Sequence, residues 1–326
     1  MKRTRTVWGA MNRRSLLTVH LPLLLAMMFW GTNFVSIKRL LGTMSVLDVL
    51  VVRAIIASAL YGVTLVVIRR TNRRVERGDI PRLLVVALLS GIGNQLPIVV
   101  AQRYIGASIS SLLVTTNPLW TALFAWLLLG VRVTRRQAVG MGVAFTGFVI
   151  ILLLGGPDVS FSVRNMAGVL IFILGPLSFG LYSVVAKPLL GRYPATEIVA
   201  ITSIAGGVFL LPILATGTGE RLTRLSRVDW LVLLWMSGVV MWLGYIIFFR
   251  GLKLMEPSQV AVYAYLIPCF GVIAGSLFLR EPLTVFVLLG GATILVGVGI
   301  TNTASRRARP PARAPVAVAA APSGDG

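Results

Sequence analysis

The sequence predicts an all-α polytopic membrane protein, ten transmembrane helices arranged as two inverted repeats of five. Three observations predict it: an apolar composition, ten long uncharged runs, and an internal duplication. Of 326 residues, 56% are hydrophobic and 13% charged, and the mean hydropathy of +0.88 leaves too little polar surface for a domain solvated by water.

A helix needs about 20 mainly apolar residues to cross a bilayer. Five such runs cover Thr18 to Leu41, Val46 to Ile68, Pro81 to Gln102, Gly106 to Leu129 and Arg135 to Gly155. The other five cover Met166 to Leu189, Pro194 to Thr216, Asp229 to Arg250, Glu256 to Leu279 and Pro282 to Asn302. Spanning strands would alternate apolar and polar residues over about ten positions. These runs are longer and apolar all round, so helices are expected.

The net charge of +21 invites a nucleic-acid reading, but the basic residues lie between the apolar runs. They gather on the N-terminal side of the membrane: the tail (Lys2, Arg3, Arg5, Arg13, Arg14), the stretch from Arg69 to Arg82, the loop of Arg132, Arg135 and Arg136, and the tail residues Arg306, Arg307, Arg309 and Arg313. By the positive-inside rule both termini are cytoplasmic. The charge then reports orientation in a cell (inner or plasma) membrane and contact with anionic headgroups, not a nucleic-acid partner.

The duplication fixes the architecture. Gly31, Val35, Lys38, Leu40, Leu41 and Gly42 recur 149 residues later as Gly180, Val184, Lys187, Leu189, Leu190 and Gly191, and Asp48 finds Glu197 at the same shift. Further along the shift is 150: Ser108, Pro118, Leu129, Thr134, Gly140 and Gly147 match Ser258, Pro268, Leu279, Thr284, Gly290 and Gly297. The repeats are 18–155 and 166–302. Five is odd, so the second enters the bilayer from the opposite side. Inverted repeats of this kind are typical of secondary transporters, whose solute site lies between the repeats near the midplane. The run Arg13-Arg14-Ser15-Leu16-Leu17 resembles a twin-arginine export signal, yet no small-residue cleavage site follows, and the recurrence of helix 1 makes it a retained element. The basic tail 1–17 and the Ala/Pro/Arg-rich tail 303–326 lack apolar periodicity and are expected to be disordered.

Three stretches resemble the drug/metabolite transporter superfamily of the EamA type, over nearly all of the chain from helix 1 to helix 10. They are Phe29-Trp30-Gly31-Thr32-Asn33-Phe34, Asn117-Pro118-Leu119-Trp120 continuing to Leu129-Gly130, and Tyr265-Leu266-Ile267-Pro268 followed by Leu279-Arg280-Glu281-Pro282-Leu283-Thr284. The resemblance implies ten helices, a central cavity and transport of small organic solutes. The family usually carries an acidic residue after the Leu-Gly that ends helix 4. Here that position is Val131, and only Glu281 keeps it.

Polar groups facing lipid are costly, so polar residues inside the runs should face a cavity or another helix. That criterion selects Trp30 and Asn33 in helix 1, Asn94 and Gln95 in helix 3, Thr116, Asn117 and Trp120 in helix 4, Tyr182 in helix 6, Trp242 and Tyr245 in helix 8, and Tyr263 and Tyr265 in helix 9. Each has a plainer reading as a helix-to-helix bond or a space-filling ring. Pro118 and Pro268, at equivalent sites, should free the carbonyls of Val114 and Ala264 and act as hinges or static bends. Arg53 either attracts an anionic solute or, the reading the sequence favours, snorkels outward or pairs with Asp48. Lys38 and Lys187 are expected to be interfacial anchors. Gly140, Gly142, Gly147, Gly290, Gly291, Gly297 and Gly299 should serve close packing within the chain, or a homodimer contact.

One histidine, His20, and one cysteine, Cys269, exclude an internal disulfide and leave no metal cluster. No cofactor motif appears, and no nucleophile with a base, so an enzyme is not expected. The expected activity is alternating-access transport of a metabolite, amino acid or drug-like compound, in the export direction. A receptor or structural subunit is the alternative. No carboxylate lies near a segment centre: Asp48, Glu197, Glu256 and Glu281 all fall near ends.

Overall fold

The structure is a computed structural model that describes residues 16–67, 75–131, 133–154, 163–212, 222–255, 257–280 and 284–307. Expectations about the tails before residue 16 and after residue 307, and about Arg132, Glu256 and Glu281, lie outside the described residues.

The described residues form ten helical rods and no strand. They are α1 (residues 16–40), α2 (Val46–Val67), α3 (Arg77–Ala101), α4 (Ala107–Leu129), α5 (Arg135–Leu154), α6 (Val163–Arg192), α7 (Ala195–Val208), α8 (Arg227–Leu254), α9 (residues 257–279) and α10 (Val285–Arg307). Six of them, α1, α2, α3, α4, α6 and α8, are both long and apolar enough to cross a membrane. The last helix continues through residues 303–307, which the sequence assigns to a disordered tail. Alanine and arginine extend a helix readily once it is nucleated, and the first breaker, Pro310, comes later.

Helix starts follow local chemistry. Ser45 and Asp48 form a reciprocal cap at α2, the Ser45 hydroxyl donating to Asp48 Oδ2 at 2.7 Å and accepting from the Asp48 amide at 3.1 Å. Ser226 and Asp229 repeat that arrangement at α8. Each satisfies amide groups that the first turn leaves without partners.

Departures from α geometry occur at equivalent places in the two repeats. α3 widens into a π-helical turn at Leu89–Gly93 and α8 at Trp235–Leu243. α4 tightens to 3₁₀ at Val114–Thr116 and α9 at Val262–Leu266. Pro118 and Pro268 follow those tight turns directly. The carbonyls expected to be freed are not free: Val114 accepts from the Asn117 amide and Ala264 from the Ile267 amide. The 3₁₀ turn supplies a donor one residue earlier than an α-helix would.

Packing is reciprocal between the repeats. A Cβ on Gly31 of α1 would lie 2.9 Å from the Gly271 amide nitrogen of α9, and one on Gly180 of α6 would lie 2.7 Å from the Thr121 amide nitrogen of α4. The first helix of each repeat thus lies backbone to backbone on the fourth helix of the other, a contact only glycine allows. Exchange of partners in this way is what a pseudo-two-fold axis between the halves requires. α5 and α10 pack on each other around Gly147 and Gly297, so these glycines serve contacts within the chain.

Lys38 and Lys187, expected to be interfacial anchors, each bond to the end of a neighbouring helix. Lys38 Nζ donates to the carbonyls of Gln102 and Ile105 at the end of α3, both at 3.2 Å. Lys187 Nζ does the same to Leu252 and Met255 at the end of α8. A cation belongs there because the last carbonyls of a helix are unpaired and carry its negative pole.

Candidate functional site

The axis region is built from the wide turns of α3 and α8. Immediately after each comes a polar side chain, Gln95 on α3 and its equivalent Tyr245 on α8, and the two meet: Gln95 Nε2 donates to the Tyr245 hydroxyl at 2.7 Å. Gln95 Nε2 also donates to Asn94 Oδ1 at 2.8 Å, and Asn94 Nδ2 donates to the Gly175 carbonyl of α6 at 3.0 Å. Arg53 enters from α2, its Nη2 donating to Gln95 Oε1. Every residue of this chain is buried, as a polar network in an apolar bundle must be if its groups are to satisfy one another.

Two small cavities flank the network. One, of about 40 Å³, is lined by Arg53, Tyr61, Ser90, Gln95, Ser203 and Tyr245 among others. The second, of about 50 Å³, is lined by Trp30, Asn33, Asn94, Asn117, Val240 and Tyr245 among others. Gln95, Met241 and Tyr245 border both and so form the partition between them. About 10–15 Å³ of such space holds one water molecule, so each cavity has room for a few waters in this conformation. Three polar atoms are buried without a partner beside them: Arg53 Nη1, Asn33 Oδ1 and Asn117 Oδ1. Buried polar atoms normally have partners.

An aromatic cluster closes the second cavity. Trp30 packs edge-on to Phe179 at 5.8 Å between ring centroids and tilted against Tyr245 and Phe248, both at 5.2 Å. Trp30 and Phe179 are equivalent positions of α1 and α6, so this contact also straddles the axis. The indole N–H donates to the Val240 carbonyl at 3.1 Å, inside the wide turn of α8.

Of the residues selected from sequence, Trp30, Asn33, Arg53, Asn94, Gln95, Asn117 and Tyr245 come together at these cavities. The others lie away from their walls. Thr116 donates to the Leu113 carbonyl in the 3₁₀ turn of α4. Trp242 ties α8 to α2 through Thr64 Oγ1 at 2.8 Å. Tyr263 stacks on and hydrogen-bonds to His20 at the start of α1. Tyr182 packs between Phe179 and Phe249, while Tyr265 is buried and Trp120 half-buried. Arg53 neither snorkels nor pairs with Asp48: it is 1% exposed, and Asp48 caps α2. Residues the sequence reading missed are Tyr61, Ser90, Ser203 and Met241. Arg53, Ala57 and Tyr61 are spaced by four along α2, a single helix face, so a charged residue and a phenol on one stripe are the signal that would have found Tyr61.

Among the described residues, an arginine at each end of the bundle is ion-paired across the repeats. At the far end of α1, Arg39 Nε lies 3.2 Å from Asp229 Oδ1 at the start of α8. At the opposite end, Arg192 Nη1 of α6 lies 3.0 Å from Asp79 Oδ1 at the start of α3, and the Tyr193 hydroxyl donates to Asp79 Oδ2 at 2.9 Å. In each pair an arginine ending the first helix of one repeat meets an aspartate opening the third helix of the other.

The same architecture and sequence pattern occur in known proteins. A model of the EamA-like transporter family matches the chain twice, over residues 17–153 and 166–303. An uncharacterized transporter, YvbV of Bacillus subtilis strain 168, is 29% identical over 85% of this chain and 89% of its own length. A probable terminal-alkyne amino-acid exporter of Streptantibioticus cattleyicolor is 26% identical, over 93% of this chain and 95% of its own. A solved crystal structure superposes with a TM-score of 0.67 at 18% identity, over 91% of this chain and 99% of that one, which shows the shared fold. Matched in both halves, the chain belongs to the EamA-like transporter family.

Proposed function

We propose that this membrane transporter carries a small organic solute, a metabolite, amino acid or drug-like compound, out of the cell by alternating access around the partition formed by Gln95, Met241 and Tyr245. The observation that carries the reading is the pair of adjoining cavities on the axis, with unpartnered polar atoms on their walls. A solute between two related halves is exposed to either side by rocking one half against the other. All ten rods cross the cell membrane in this reading, with both termini cytoplasmic as the distribution of basic residues indicates. The export direction is supported by the similarity to the Streptantibioticus protein, a probable amino-acid exporter.

The two ion pairs fit such a cycle. Both are made in this conformation, and opening either end separates an α1–α8 or an α6–α3 contact. One pair therefore breaks in each half of the cycle.

The test is solute flux in proteoliposomes holding only this protein, loaded with amino acids, aromatic amines, nucleosides and sugars in turn. Efflux of at least one class above that of empty vesicles is expected. Flux indistinguishable from empty vesicles for every class overturns the carrier reading.

A further inference from the structure

We propose that the Arg53 guanidinium anchors a carboxylate of the transported solute, so that the solute is a monoanion or a zwitterion; this deepens the carrier reading above and rests on it. Arg53 is buried on α2, lines the first cavity, donates through Nη2 to Gln95, and leaves Nη1 buried without a partner. A guanidinium keeps its charge in proteins. A buried cation calls for an anion beside it, because desolvation is compensated only by a well-placed opposite charge.

Among the described residues none supplies that anion to Arg53. Among the described residues the ion pairs are those of Arg39 with Asp229 and of Arg192 with Glu76 and Asp79. Gln95, which Arg53 does touch, is neutral. Nor does the fold require an arginine here. The equivalent position of the second repeat is Thr202, fully buried and bonded to the Ile198 carbonyl of its own helix at 2.8 Å. Helix packing at this site is thus met by a small side chain, and the charge is an addition on one side of the axis.

The chemistry of the anion follows from the wall. Among the described residues lining either of the two cavities, Arg53 is the one cation, so a single negative charge is matched and a dianionic phosphate is not. A guanidinium suits the planar carboxylate. Beyond the Gln95 and Tyr245 partition, the unpartnered amide oxygens of Asn33 and Asn117 and the Trp30 ring complement a solute body with a hydrogen-bond donor and an apolar or aromatic part.

The test uses the purified full chain and neutral isosteres of its probes. Acetate, benzoate and phenylalanine are compared with acetamide, benzamide and phenylalaninamide by thermal unfolding at constant ionic strength. At least one acid should raise the Tm in a saturable way that its amide does not reproduce. In Arg53→Gln its apparent affinity should fall by about tenfold or more, and in Arg53→Lys by less. The ligand-free Arg53→Gln protein should melt no lower than the wild type, since a buried unpaired charge is removed; a lower Tm marks Arg53 as a structural residue and counts against the proposal. If no acid outperforms its amide on the wild type, the anchor is overturned whatever the variants do. Proteoliposome flux keeps the two readings apart. Acid binding without flux of any solute sinks the carrier and leaves the anchor standing. Flux of a neutral solute, undiminished in Arg53→Gln and with no acid binding, sinks the anchor alone.

Discussion

At the scale of single residues, placement depended on what the neighbouring helices left open. Arg53 illustrates it: α2 is apolar around most of its surface, and the stripe of Arg53 and Tyr61 does not by itself say whether it meets a cavity or only a neighbouring helix. The sequence favours a snorkelling cation or a partner of Asp48, and only the enclosure of the side chain by α3 and α8 turns the reading to a cavity group. Gly180 shows the opposite case, a residue whose role the duplication announces and whose geometry gives the reason. A Cβ there would press on the Thr121 amide nitrogen at 2.7 Å, which is backbone and cannot rotate away. Gly180→Ala should therefore destabilise by about 1–3 kcal/mol, the usual range for overpacking. Gly191→Ala, with nothing within 4 Å of its would-be Cβ, should be neutral or slightly stabilising. Thermal unfolding in detergent checks both, and equal effects at the two sites would refute the backbone contact.

At the scale of elements, the ends and interruptions of helices carry more of the design than their apolar middles. The sequence placed the rods well because length and hydropathy are local properties. It did not show that α3 and α8 widen at matching points, since no residue type is specific to a π turn. The capping by Lys38 and Lys187 was not legible for a related reason: a lysine near a helix end has an anchoring position in sequence, and only the neighbouring helix reveals carbonyls within its reach. The capping role predicts that Lys38→Met frays the end of α3. A loss of about 1–2 kcal/mol is expected from a partly buried cation on unpaired carbonyls. Amide exchange should quicken at Arg103, Tyr104 and Ile105, whose amides bond back into that last turn. Arg, which can reach the same carbonyls, should restore most of the protection; unchanged exchange in Lys38→Met would show that the bonds are incidental.

At the scale of the whole molecule, the reciprocal contacts make two folded halves into one device with two ends. In the proposed cycle the Arg39–Asp229 and Arg192–Asp79 pairs hold opposite ends shut. Arg39 is about half exposed and Arg192 more so, so each pair is worth about 1 kcal/mol at most. That is small for stability yet enough to shift a two-state population about fivefold. Arg39→Gln should lengthen the distance between spin labels at Thr43 and Thr223, and Arg192→Gln that between labels at Arg77 and Gly191, each without the other. Parallel changes at both ends, or none at either, would contradict a rocking movement. The arginines are the residues to change, because the aspartate at Asp229 also caps its helix.

The sequence by itself determined the class of fold, the duplication and the polar residues that had to avoid lipid, because each follows from composition or from a fixed spacing along the chain. Tertiary structure decided which of those polar residues meet. Seven of the thirteen proposed solute contacts, Arg53 counted among them, converge on the axis, while Trp242, Tyr263 and Thr116 are tied elsewhere by bonds to α2, α1 and their own helix. The reason is that an apolar helix in a membrane has no watery side, so its rotation is set by the close approach of small residues and not by a hydrophobic stripe. That rotation turned Arg53 inward, to line a cavity with no carboxylate among its described residues.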